Sequence, residues 1–125
     1  MITFLEDLRL RLFLRATAVW LRRARERSAR MRGHMATGDF VMQIRTEGGT
    51  GGFFEVRNGT IRLGRGLHPS PDFSQIWRCS RDAFRALTSR DETELFRAVE
   101  DGRLRLRGQF QVALWFNEAV RIARS

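Results

Sequence analysis

The stretch Gly102-Arg103-Leu104-Arg105-Leu106-Arg107-Gly108, followed without a break by Gln109-Phe110-Gln-Val-Ala-Leu-Trp115-Phe116, decides the fold. Leu104 and Leu106 alternate with three arginines, the period-2 pattern of a short strand with one buried face. Glycines bracket it. From Gln109 to Ala123 the period lengthens, and Val112, Trp115, Phe116, Ala119, Val120 and Ala123 gather on one side of a helix. Phe110 and Leu114, one turn apart, fall on its other side, as a membrane contact, a tunnel lip or a surface beneath the N-terminal helix.

Working back, Asp91 opens a helix with Leu95, Phe96 and Val99 inward and Gly102 as its stop. Ser80 reads as the N-cap of another, with Ala83, Phe84 and Leu87 inward. Phe73–Cys79 is a strand of uncertain facing, because Phe73, Ile76 and Trp77 do not share a parity. Upstream lies a meander. Phe40, Met42 and Ile44 alternate in one strand, Phe54 and Val56 in the next, and Ile61 and Leu63 in a third. Glu47–Gly52 is a turn between the first two, and Asn58-Gly59 supplies a tight hairpin between the last two. The prediction is an α+β fold: a five-stranded, mostly antiparallel sheet covered on one face by helices, with a long N-terminal helix.

That helix spans Thr3 to about Met31, with Gly33 as its stop. It has two apolar stripes. Leu5, Leu8, Leu12, Ala16, Val19 and Trp20 form one, expected to face the domain. Leu10, Leu14, Ala18 and Leu21 form the other, expected to face outward. We divide the chain into residues 1–36, an amphipathic helix and basic linker, and residues 37–125, the domain proper.

Charge sharpens that division. All 23 basic residues of the 125 are arginine, and the net charge is +9. Residues 1–36 hold nine arginines against Glu6, Asp7 and Glu26, leaving +6; the remainder holds +3. An anionic partner at the N-terminal segment follows, met by Leu10, Leu14 and Leu21 with Arg22, Arg23, Arg25 and Arg27. A membrane surface fits, as does a homodimer or partner enzyme. Nucleic acid fits poorly, since the alternation turns the strand phenylalanines inward and leaves no aromatic face for base stacking. An outward row of Arg45, Arg57, Arg62, Arg103, Arg105 and Arg107 reads as a solvated face with acid partners such as Glu55.

Catalytic chemistry is not expected. His34 and His68 are isolated in linker-like stretches, where solvated histidines are the ordinary reading, and Cys79 reads as a buried small hydrophobe. Glu47–Gly52 lacks the lysine and hydroxyl that end a phosphate loop. No metal or cofactor is implied. One cysteine, no signal-like start and no uninterrupted apolar run of ~20 residues lead us to expect a cytoplasmic protein, at most peripheral on a membrane.

From Gly38 to Ala123 the element order and its punctuation resemble the sterol carrier protein type 2 family. The features that carry this are the Asn58-Gly59 hairpin, the Pro71-Asp72 entry to the fourth strand, the run Ser80–Leu87, and above all Gly102–Gly108. The family's pattern there is similar to Gly-Lys-Leu-x-(Ile/Val)-x-Gly-Asp, with Arg103 in place of the lysine and Gln109 in place of the aspartate. The resemblance implies an apolar tunnel between sheet and helices that binds fatty acyl, sterol-like or isoprenoid lipid. Its candidate lining is Phe40, Met42, Ile44, Phe54, Val56, Ile61, Leu63, Phe84, Leu87, Phe96, Phe110, Leu114 and Trp115. Some family members serve instead as dimerisation or accessory domains. For each of these residues taken singly, core packing is the simpler role.

Overall fold

The structure, a computed structural model, describes residues 2–91 and 93–125. Its elements are α1 (Ile2–Arg27), α2 (Ala29–Met35), β1 (Phe40–Thr46), β2 (Gly51–Arg57), β3 (Thr60–Arg65), β4 (Phe73–Trp77), α3 (Ser80–Leu87), α4 (Glu94–Glu100), β5 (Leu104–Gly108) and α5 (Phe110–Arg124). One sheet contains all five strands in the order β3-β2-β1-β4-β5. Three pairings are antiparallel and β1–β4 is parallel, so the sheet is mixed.

The meander follows from its turns. Asn58 and Gly59 both have positive φ, the geometry of a two-residue hairpin whose twist matches the strands. Registers Met42↔Phe54 and Phe54↔Leu63 then stack the expected apolar residues on one face. The facing of β4 is settled by pairing: Met42↔Phe73 and Trp77↔Leu104 put Phe73 and Trp77 on that same face. Ile76 points the other way. Both glycines around β5 are required by geometry. Gly102 turns the chain out of α4 at φ +77°, and at Gly108, with φ +104°, a side chain would collide with the carbonyl of Asp72.

Chain reversal from β3 to β4 crosses the outer face of the sheet, through residues 66–72. Asp72 ties it down: its carboxylate accepts from the Val41 N–H at 2.7 Å, and its own N–H donates to the Val41 carbonyl at 2.9 Å. The His68 N–H donates to the Gln43 side chain, and the His68 ring stands edge-on to Phe53. Val41 and Gln43 are therefore buried although they lie opposite the helices.

The helical layer departs from expectation most at α1. The buried stripe is Leu10, Leu14, Ala18, Leu21 and Ala24, whereas Leu5, Leu8 and Leu12 are exposed. For the leucines the two stripes are exchanged, while Val19 and Trp20 of the expected inner stripe are half-buried and Trp20 packs against the core. Their chemistry explains the exchange. Leu10, Leu14, Thr17, Leu21, Ala24, Ser28, Met31 and Met35 alternate in steps of four and three through α1 and α2, without one charge. The competing stripe runs into Arg23, Glu26 and Arg27. Small Ala18 and Ala24 also let the backbone approach β2 and β3 closely. Leu10, Leu14, Leu21, Met31 and Met35 consequently share a single core with Phe54, Val56, Ile61, Phe73 and Trp77.

The helix also ends earlier than Gly33. Ser28 leaves helical geometry and its hydroxyl accepts from the Met31 N–H, so it caps α2, and Gly33 lies inside that second helix. At the other helix starts, Cys79 occupies the N-cap position of α3 and Ser80 is its first residue; the Ser80 hydroxyl donates to Asp7 of α1 instead. Asp91 precedes α4 by three residues and accepts from the backbone and hydroxyl of Thr93. Among the described residues, no helix is long and apolar enough to cross a membrane.

Candidate functional site

The strand residues named as tunnel lining come together. Phe40, Met42, Ile44, Phe54, Val56 and Ile61 are all buried beneath the helices, with Leu63 packed at their edge. They do not stand alone there: the inner leucines of α1 and the side chains of Val112, Phe116 and Ala119 from α5 fill the space above them. Phe54 and Phe116 have ring centroids 5.1 Å apart.

Toward β5 this cover thins. Leu106 is on the helix-facing side of the sheet, opposite Gln75, yet is 41% exposed. Phe110, at the start of α5, is 56% exposed and sits edge-on to Phe73, the neighbour of Gly108 across the ladder. Leu114 continues the open side of α5, so Phe110 and Leu114 lie in solvent, not beneath the N-terminal helix. Leu106, Phe110 and Leu114 are thus exposed apolar side chains of β5 and α5, and Phe110 touches the buried Phe73.

Three residues expected inward or buried are not. Phe96 and Val99 are exposed because the inward side of the short α4 is taken by Ala98, whose small side chain fits against β5. Cys79 is exposed where the chain enters α3. Phe84 and Leu87 are half-buried. Phe84 packs edge-on to Phe13 of α1 under the guanidinium of Arg9. Trp115 clasps α2 to α5: its ring stacks on His34 at 4.5 Å, and its indole N–H donates to the His34 carbonyl and the Thr37 hydroxyl. His34 is thus a packed residue rather than a solvated one. No sequence signal marked that contact, since the two residues are 81 positions apart.

Around α3 the surface is charged. Arg78, Cys79, Arg81, Asp82, Arg85, Glu94 and Arg103 line a cleft of about 450 Å³. Within it Arg78 pairs with Asp82 at 2.8 Å and Arg103 with Glu94 at 3.3 Å. Arg103 therefore closes the α4–β5 corner instead of joining the outward arginine row, and hydrogen bonds to Asp101 and Glu94 raise its pKa further. The rest of that row is largely partnered: Arg57 and Arg62 share Glu55, and Arg105 reaches Glu47. Of the N-terminal arginines, Arg22, Arg23 and Arg27 are exposed, while Arg25 is half-buried and donates to the Gly59 carbonyl. No cluster of three or more metal-type ligands occurs among the described residues.

No family model matches the sequence, and no curated protein matches it. Among solved structures, one described as "UbiJ-SCP2 Ubiquinone synthesis protein" superposes with a TM-score of 0.63, covering 90% of this chain and 96% of that one at 18% identity. A stereoselective inverting sec-alkylsulfatase from Pseudomonas sp. gives a TM-score of 0.49 over 69% of this chain and 14% of its own, also at 18% identity. Likeness at this identity speaks of fold. The chain therefore shares the fold of that structure, an SCP2-like α+β fold.

Proposed function

We propose that this domain binds a hydrophobic ligand, fatty acyl, sterol-like or isoprenoid, between sheet and helices, and carries or presents it at a membrane face without catalysing a reaction. The observation that carries the reading is the exposure of Leu106, Phe110 and Leu114 on β5 and α5, with Phe110 edge-on to the buried Phe73. Apolar side chains exposed singly are ordinary, but here three of them belong to β5 and to the first turns of α5, which follows it directly. A ligand tail entering beside Phe110 would part the start of α5 from β5. Burying about 200 Å² of tail would contribute about 5 kcal/mol at 25 cal/mol per Å², so tail length rather than any single hydrogen bond sets affinity. A prenyl-tailed ring compound is the first ligand to try, since the similar structure is described as a ubiquinone synthesis protein.

The non-catalytic part of the proposal rests on separation. Cys79 begins α3, His34 lies between α2 and α5, and His68 sits on the outer crossover, so these three groups face different surroundings. A second reading, an accessory or dimerisation domain docking a partner protein in the cytoplasm, draws on Phe96, which is 72% exposed on α4. Native mass spectrometry and organic extraction of the purified chain decide between them. One co-purified lipid per chain, displaced by a fluorescent fatty acid, supports the carrier. Folded protein with no saturable lipid binding would sink it.

A further inference from the structure

The outward side of α1 is apolar, from 39% exposure at Leu8 to 75% at Ile2, with Phe4, Leu5 and Leu12 between these values. Leu5, Leu8 and Leu12 fall on one stripe by helical spacing. Arg11, Arg15 and Arg22 run along one flank of it, Arg9 lies on the other, and Arg23 stands at its C-terminal end. All five are exposed, and none has a carboxylate within ion-pair distance among the described residues. Glu55, Asp91, Glu94, Asp101 and Glu118 each hold an arginine, and α1 itself carries Glu6 and Glu26 against its seven arginines. Asp7 of α1 is turned toward Ser80. Arg9 also lines a cleft of about 330 Å³ with Glu6, Arg81 and Arg85, so cations outnumber the acid beside the stripe.

We infer that this face docks on an anionic lipid bilayer, α1 lying in the interfacial plane with its leucines at the acyl boundary and its arginines among the phosphates. An aliphatic stripe flanked and ended by exposed arginines complements a surface that is apolar below and negative above. A second copy of the chain would set arginine rows against arginine rows. Nucleic acid would meet leucines where bases need aromatic rings. The inference rests on the membrane step of the carrier reading, while the ligand entry proposed beside Phe110 lies between β5 and α5.

Flotation of the full chain with phosphatidylglycerol vesicles, against phosphatidylcholine vesicles, tests it. Wild type should float with phosphatidylglycerol at low salt, and less as salt rises. Each interfacial arginine multiplies partitioning by roughly fivefold, so Arg11→Ser/Arg15→Ser/Arg22→Ser should lower it about a hundredfold. Leu5→Asp/Leu8→Asp/Leu12→Asp should abolish it with an unchanged melting curve. Wild type that ignores phosphatidylglycerol overturns the inference, as does a folded leucine variant that still floats. So does a leucine variant that turns a dimer into a monomer without affecting flotation. Native mass spectrometry of the same leucine variant keeps the two readings apart. Lipid retained without flotation leaves the carrier reading standing and supports the docking face; flotation without any bound lipid removes the carrier reading alone.

Discussion

Two sides of one helix, α1, are both rich in leucine and have opposite fates. Leu10, Leu14 and Leu21 are sealed in the core; Leu5, Leu8 and Leu12 meet solvent. Hydrophobicity per residue does not separate them, since each side has three leucines. Two other properties do. The inner stripe continues without a charge from Leu10 to Met35 across the Ser28 break, and it intersperses leucine with small residues. A stripe that must lie on a sheet needs close approach along its whole length. A stripe that faces outward needs neither, and it can end in arginine.

The strongest way to break this contrast is a charge on each side. Leu14→Asp places a carboxylate in a closed apolar core and should leave the chain unfolded, while Leu12→Asp should change stability by less than about 0.5 kcal/mol. A milder pair is Leu14→Ala, expected to cost ~3 kcal/mol, against Leu12→Ala, expected to be silent in urea denaturation. The small residues give the next test. Ala18→Leu forces bulk between α1 and the sheet and should cost ~1–3 kcal/mol, whereas Ala16→Leu, on the exposed side, should be neutral.

Much of the domain was legible in the sequence because its signals are local. Asn58-Gly59 specifies a hairpin, alternation in three consecutive strands fixes the meander, and Gly102 and Gly108 bracket β5 at positions where a side chain is excluded or strained. What was not legible depends on distant partners. The parallel β1–β4 pairing brings together residues about thirty positions apart, as in Met42↔Phe73, and no local pattern announces it. Burial of Val41 and Gln43 depends on Asp72 closing the crossover loop over them. Phe96 was expected inward because aromatics usually are, but in a seven-residue helix Ala98, with Leu95 half-buried beside it, fills the contact. The facing of α1 was readable in principle from the uncharged run through Met31 and Met35; extending the stripe past Ser28 would have found it. Of the candidate site, the strand residues lie in the interior as their alternation implied, while the exposure of Leu106 and Phe110 depends on how β5 and α5 meet.

A smaller effect separates the outer sheet face from the helical layer. A hydrogen bond from Arg62, together with the charges of Arg62 and Arg57, holds the Glu55 carboxyl below the usual carboxylate range. Its folded-state pKa is depressed, so its contribution is present at neutral pH and is lost as pH falls through the carboxylate range. The pair is solvent-exposed, so the loss should be slight. Glu55→Gln should flatten the acid limb of a stability–pH curve marginally, and it should leave vesicle flotation unchanged.

Maleimide labelling of single cysteines, in a Cys79→Ser background, tests the two-sided helix most directly. Leu12→Cys should react rapidly in solution and become protected when phosphatidylglycerol vesicles are added. Leu14→Cys should stay protected under both conditions until the chain is unfolded. A slow Leu12→Cys beside a fast Leu14→Cys in the folded protein would contradict the packing described for α1, and a Leu12→Cys that reacts equally fast with and without vesicles would contradict its role at the membrane.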